Sequence, residues 1–342
     1  PSNSRELISR LILRHIHGND LDKRALEVAK VNIWLEAIKL APSEFRFDRL
    51  PSKVEHILPD LQMNFGNGDS LVGLPENLTI EMLSKNHRDD IIQLYNLRDK
   101  YLENPTNPEL VKKIEEIKNV LRKELNEKFE KYLKEKSIPL EIFNETKPFH
   151  WVLEFWFIYF DSLSELHSDK GFDVVIGNPP WIQSKFMKVE QKEWFKFTFK
   201  SMKKQYDIFN GFVEKGVTLL KHEGLLGFIL PNRFVMNPDY QPFRKYLLEN
   251  VSIIEITDLG EEIFEDVEMP SLILIIQKEN SSERRLSNSI RIRLTNSQLF
   301  QRHLFSREYT KLQESFYKES GQLFTIYAPI SSSNIISKIE AN

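Results

Sequence analysis

Phe172-Asp173-Val174-Val175-Ile176-Gly177-Asn178-Pro179-Pro180-Trp181 decides how the rest of the chain is read. Val174 to Ile176 is β-branched throughout and predicts a buried strand that stops at Gly177. The strand is followed by an amide side chain, two prolines and a large aromatic. Proline fixes φ and removes an N–H donor, so Pro179-Pro180 is stiff and extended. The Asn178 side chain and the neighbouring carbonyls then form a fixed cluster of hydrogen-bond acceptors, with Trp181 as a flat wall beside them. Open α/β sheets place ligands at this carboxyl end of their strands. A planar ring carrying an exocyclic amine fits such a cluster. The plainer alternative is a strand-ending turn with a packed Trp.

The chain has 342 residues, 41% hydrophobic and 28% charged, which suits a sizeable core and about two domains. No run approaches ~18 apolar residues, and no signal peptide is visible, so no membrane partner is expected. Cysteine is absent, which excludes disulfides, thiolate metal sites and cysteine nucleophiles. It also excludes cytosine-C5 methylation, which needs a thiolate attack on the ring. A cytoplasmic location is expected. The net charge of −3 gives no global sign of nucleic-acid binding, so that case rests on local patches.

Upstream of the motif, Leu7, Ile8, Leu11 and Ile12 have helical spacing. A strand ending near Asn19 and an amphipathic helix from about Asp22 to Leu40 follow, with Asp22 as N-cap. Asp20 at this strand end suits ribose hydroxyls, although alone it reads as an acid complementing the helix dipole. Gly66-Asn67-Gly68 is turn chemistry rather than a phosphate fingerprint, and Asp69 after it alone reads as a turn residue. From Thr79 to Lys136, the stripes Leu94, Leu97, Tyr101 and Val111, Ile114, Ile117, Val120, Leu121, Leu125, Phe129 predict two helices broken at Asn104–Pro108. This pair reads as an insertion with a solvated charged face. His150, in Lys147-Pro148-Phe149-His150-Trp151, reads as a packed or hydrogen-bonded histidine.

Downstream, seven Lys and two Glu from Lys185 to Lys204 interleave with aromatics. The run is either a solvated helix face or a phosphate-binding surface. A helix over Tyr206–Leu220, capped at Gly224, leads to a buried strand from Leu225 to Leu230. A helix over Phe243–Leu248 and strands over Ile253–Ile256 and Leu272–Ile276 complete the pattern, and six Arg with one Glu lie between Glu283 and Arg307. Strand–helix–strand order predicts a mostly parallel sheet covered on both faces.

With these residues in view, the chain resembles the gamma-class amino-specific DNA methyltransferases, and more narrowly the adenine methyltransferase module of type IIG restriction–modification enzymes. The resemblance covers residues 10 to 278. It rests on Asn178-Pro179-Pro180-Trp181 with its strand, on Lys147–Trp151, on Gly224–Asn232 and on Pro270–Leu274. It implies an α/β, Rossmann-like doubly wound sheet that binds S-adenosylmethionine, with residues 79–146 as a helical insertion in a catalytic domain 1–278. Residues 279–342 would be a linker and the beginning of a target-recognition domain. Asp20 with Leu21 would hold the cofactor ribose, Asp69 with Ser70 its adenine amine, and Phe212 would pack on that adenine. Asn178, Pro179, Pro180 and Trp181 would be catalytic. Trp181, where the family more often has Tyr or Phe, and Phe264 would stack on a flipped adenine. The implied activity is site-specific adenine-N6 methylation of double-stranded DNA, with no metal, and with nuclease and target-recognition domains outside this chain. Three alternatives stay open: cytosine-N4 methylation, which uses a related motif often beginning with Ser, a catalytically incomplete DNA-binding subunit, and an RNA or protein amino-methyltransferase. The family's glycine-rich loop should precede Leu11 and is not in this stretch, so weak binding of S-adenosylmethionine by these residues alone is expected.

Overall fold

The computed structural model describes residues 4–40, 61–261 and 269–327. They form two compact units that divide between Lys170 and Gly171, so the stretch expected as one catalytic domain spans both.

In the first unit, α1 (Ser4–His15) leads to β1 (Gly18–Asp20) and α2 (Lys23–Leu40). Asp22 starts α2 as expected, its carboxylate accepting the Arg24 amide at 2.8 Å. β2 (Phe65–Asn67) pairs in parallel with β1, opposing Asp20 to Asn67. Helices α3 (Glu76–Asn86), α4 (Arg88–Glu103) and α5 (Pro108–Glu135) follow, then the short α6 (Glu141–Glu145), α7 (Trp151–Glu154) and α8 (Trp156–Tyr159). Asn107 caps α5 through its side chain and Pro108 opens it, which accounts for the break read from sequence. The stripe on α5 buries Val111, Ile114, Leu121, Leu125 and Phe129, while Val120 is exposed and Lys118 is buried instead. The insertion's charges are therefore not all solvated. Lys118 sits 2.7 Å from Glu154, and Arg122 2.8 Å from the same carboxylate.

The second unit holds a six-stranded sheet in the order β3-β4-β6-β5-β7-β8. Its elements are β3 (Phe172–Gly177), α9 (Val189–Thr198), α10 (Ile208–Leu219), β4 (Leu220–Pro231), α11 (Gln241–Asn250), β5 (Val251–Gly260), β6 (Ser271–Lys278), α12 (Ser282–Ser287), β7 (Ser289–Leu294), α13 (Ser297–Gln301), β8 (Arg307–Leu312) and α14 (Gln313–Lys318). The α/β class holds, but the sheet is mixed rather than mostly parallel. β3 runs parallel to β4, and β5 to β7, while β6 lies antiparallel between β4 and β5 and β8 antiparallel to β7. The cause is the short link between β5 and β6, since a parallel return needs a crossover of about a dozen residues. β4 also starts earlier than expected: α10 ends at Leu219 and the chain enters the strand directly, so Gly224 lies inside β4 and caps no helix.

β3 is not a buried strand. It is an end strand of the sheet, paired only with β4 among the described residues, and Val174 and Ile176 are 55% and 80% exposed. Apolar content alone does not separate a central strand from an end strand. β7 and β8 fall in the stretch expected as linker, yet they extend the same sheet, and Ile290, Ile292, Phe316, Phe324 and Ile326 join its core.

Candidate functional site

At the carboxyl end of β1 and β2, Asp20 is exposed, and one of its oxygens accepts the Asp22 amide at 2.8 Å. Leu21 beside it is 60% exposed. The Gly68 amide donates to the Asp20 carbonyl at 3.1 Å, and Asn19 donates through its amide to Gly68 at 3.0 Å and to the Ser70 hydroxyl at 2.7 Å. Asp20, Asp69 and Ser70 are thus gathered at one end of one small sheet. The Asp69 carboxylate accepts the Leu71 amide at 2.9 Å, a turn bond that aims the side chain.

The Lys147–Trp151 segment clamps this turn. The Asp69 amide donates to the Lys147 carbonyl at 2.7 Å, the Phe149 amide to Val72 at 2.7 Å, and the Trp151 indole to the Ser70 carbonyl at 3.1 Å. A Cβ on Gly66 would lie 2.3 Å from the Phe149 ring, and one on Gly68 2.9 Å from the Lys147 carbonyl. The two glycines therefore permit close approach of that segment. His150 is the hydrogen-bonded residue the sequence predicts: Nδ1 accepts the Leu74 amide at 3.2 Å, so Nε2–H donates to the Asn126 side-chain oxygen at 2.9 Å. Burial lowers its pKa to about 4 and keeps it neutral. Behind it, burial alone would raise the Glu154 carboxyl, but the Lys118 and Arg122 charges hold it at about 2.

In the second unit, the Asn178–Trp181 segment leaves the carboxyl end of β3. Asn178 and Pro180 are exposed, Pro179 is buried and Trp181 half-buried. The chain is next fixed just beyond Trp181: the Ile208 amide donates to the Ile182 carbonyl and the Ser184 amide to the Tyr206 carbonyl, both at 2.9 Å. Phe212, on α10, is half-buried against the sheet core. Phe264 lies outside the described residues. In the basic run, Trp194, Phe195 and Phe199 turn inward, whereas Phe186 and Phe197 are exposed. Lys185, Lys188, Lys196 and Lys200 face solvent. Of the second basic run, Arg291 and Arg293 are paired with Glu255 at 3.5 and 3.1 Å.

Asp20, Leu21, Asp69 and Ser70 lie in the first unit, and Phe212 and Asn178–Trp181 in the second. Sequence reading missed two buried acids, Asp207 at the N-cap of α10 and Glu214 within it. Asp207 had a legible signal, since Asp207-x-x-Asn210 is a capping-box spacing before an apolar helix.

The sequence profile of the Eco57I restriction-modification methylases matches residues 14–264, well over half of the chain. The chain belongs to the Eco57I restriction-modification methylase family. A curated relative in Methanocaldococcus jannaschii, the putative type II restriction enzyme and methyltransferase RM.MjaORFECS2P, is 27% identical over 79% of this chain and 26% of its own length. The Escherichia coli type II restriction enzyme and methyltransferase RM.Eco57I is 33% identical over 32% of this chain and 11% of its own. The adenine-specific methyltransferase BrxX of Escherichia coli is 30% identical over 27% of this chain and 8% of its own. The chain thus spans about a quarter or less of the length of these relatives. Among the described residues, no helix is long and apolar enough to cross a membrane, and no group of three or more acidic or histidine side chains could hold a metal.

Proposed function

We infer that this chain is the methyl-transfer core of a DNA adenine-N6 methyltransferase within a restriction–modification enzyme acting in the cytoplasm. The observation that carries this reading is Asn178, presented exposed at a strand end and followed by two residues that have no N–H. The segment can therefore offer an amine two acceptors, the Asn178 side-chain oxygen and the Pro179 carbonyl, with no competing backbone donor from either proline. A target adenine leaves the duplex at a cost of a few kcal/mol and stacks on Trp181. Its exocyclic amine donates to the two acceptors, which draws the nitrogen toward tetrahedral geometry and exposes its lone pair. Transfer then follows from orientation. The names of the relatives support adenine and a nuclease in the same polypeptide.

The methyl donor is S-adenosylmethionine, which supplies an electrophilic methyl group on a sulfonium when bound. Asp20 fits its ribose, because the carboxylate is exposed and spends one oxygen on the Asp22 amide. Asp69, Ser70 and Leu21 complete the residues of the first unit that would hold it, and Phe212, in the second unit, and Phe264 keep the roles that the family resemblance gives them. The exposed lysines on and beside α9 suit phosphates of double-stranded DNA. A target-recognition region would begin within residues 279–342. Incubating the intact protein with radiolabelled S-adenosylmethionine and unmethylated duplex DNA, then separating the nucleosides, is expected to yield N6-methyladenine. Label in N4-methylcytosine, or in none, would refute the reading.

A further inference from the structure

We propose that Asp207, gripped by Arg233 and Tyr240, is a positioning residue that sets the placement of the Asn178–Trp181 segment. This rests on the methyl-transfer reading of that segment. Asp207 is fully buried, and its carboxylate lies 2.7 Å from Arg233 Nε and faces the Tyr240 hydroxyl. Burial raises its pKa, and Arg233 pulls the other way. Capping α10 does not require such an arrangement, since Ser, Thr or Asn would serve as well. A fully buried carboxylate facing a half-buried cation carries a desolvation cost that a helix cap alone does not require.

What Asp207 adds is a link between two loops. Its backbone forms a β-bridge with Gln183. The residues on either side of it, Tyr206 and Ile208, bond to Ser184 and Ile182, each at 2.9 Å. Asp207 is thereby fastened two residues beyond Trp181. Its side chain reaches Arg233, which follows the end of β4, the strand that pairs with β3. The loop leaving β3 is thus tied to the loop leaving the neighbouring strand. The segment needs such a tie, because Pro179 and Pro180 have no N–H to donate and Asn178 and Pro180 have little packing around them. Tyr240 completes the grip: its ring is nearly parallel to Phe209, at 6.3 Å between centroids.

The test uses the intact protein and steady-state methyl transfer to duplex DNA. Asp207→Asn keeps the cap and the volume but removes the charge that Arg233 holds. It is expected to lower kcat roughly 100-fold, the effect of a displacement of about 1 Å, while KM for DNA and for S-adenosylmethionine moves less than about 3-fold. Arg233→Met should give the same split, and the double variant should be no worse than either single one, because both remove one link. Tyr240→Phe, which loses only a hydroxyl, keeps the proposal testable if Asp207→Asn does not fold, and is expected to lower kcat roughly 10-fold at unchanged KM. Unchanged kcat in the folded variants, or losses in KM alone, would overturn the proposal. Wild-type transfer that survives Asn178→Ala would instead remove the underlying reading, and the proposal with it.

Discussion

Glu154→Gln is the most informative single perturbation of the first unit. The Glu154 carboxylate is buried and holds Lys118 at 2.7 Å and Arg122 at 2.8 Å. Lys118 is itself only 6% exposed, so it cannot turn to water. Glutamine keeps the shape and removes the charge. Lys118 is then left with Glu115 at 2.9 Å, whose side chain is 40% exposed and compensates in part. Breaking one side of a buried pair costs about 3–5 kcal/mol, and the remaining Glu115 places this case at the low end, about 3 kcal/mol. With a urea slope of about 2–3 kcal/mol/M, the unfolding midpoint should fall by about 1 M. The double variant Lys118→Met/Glu154→Met removes both charges from the buried pair and should recover more than half of that loss. The effect should also reach the site, because Glu154 ends the helix whose first residue, Trp151, donates to the Ser70 carbonyl. A midpoint shift under about 0.3 M, or a double variant less stable than the single one, would refute the reasoning.

His150 gives a pH signature. Its folded pKa of about 4 lies below the ordinary 6.5, so the neutral form is favoured in the folded state. Its contribution is complete above about pH 6.5 and is lost as pH falls toward 4; between pH 7.5 and 5 the loss is about 2 kcal/mol. Urea midpoints of wild type and His150→Gln at the two pH values measure it, and the variant should lose this part of the dependence while keeping the part due to His17, which burial also lowers to about 4. Trp181→Ala should weaken binding to DNA with a mismatched target adenine by about 1–3 kcal/mol. Binding to a duplex with an abasic target should be unaffected, and an equal loss on both duplexes would count against stacking. Lys196→Ala/Lys200→Ala should lower the slope of log K against log salt by about 2, measured by anisotropy across salt concentrations.

Much of this was legible because local chemistry and period agreed. The helices around Pro108, the cap at Asp22 and the strand before Asn178 follow from turn residues and apolar spacing. Sheet direction was less legible. The order strand–helix–strand predicts parallel neighbours, and β6 departs from it because its link to β5 is too short for a crossover. The exposure of β3 was hidden for a related reason: Val174-Val175-Ile176 reads the same whether one or both of its edges are paired. The clamp on the Asp69 turn was not legible, because the segment that forms it, Lys147–Trp151, comes some eighty positions later. Lys118 and Glu154 were invisible as a pair, since a charge on a helix reads as solvated until its partner is placed opposite it.

The central claim is that Asn178 accepts the amine of a flipped adenine, and single-turnover methyl transfer by Asn178→Ala tests it most directly. At saturating duplex DNA and S-adenosylmethionine, the rate should fall by about 10²–10³-fold, as when one preorganised hydrogen-bond partner is removed. Equilibrium affinity for both should stay within about 3-fold of wild type, a difference under about 0.7 kcal/mol. Transfer at the wild-type rate by the variant would contradict the account.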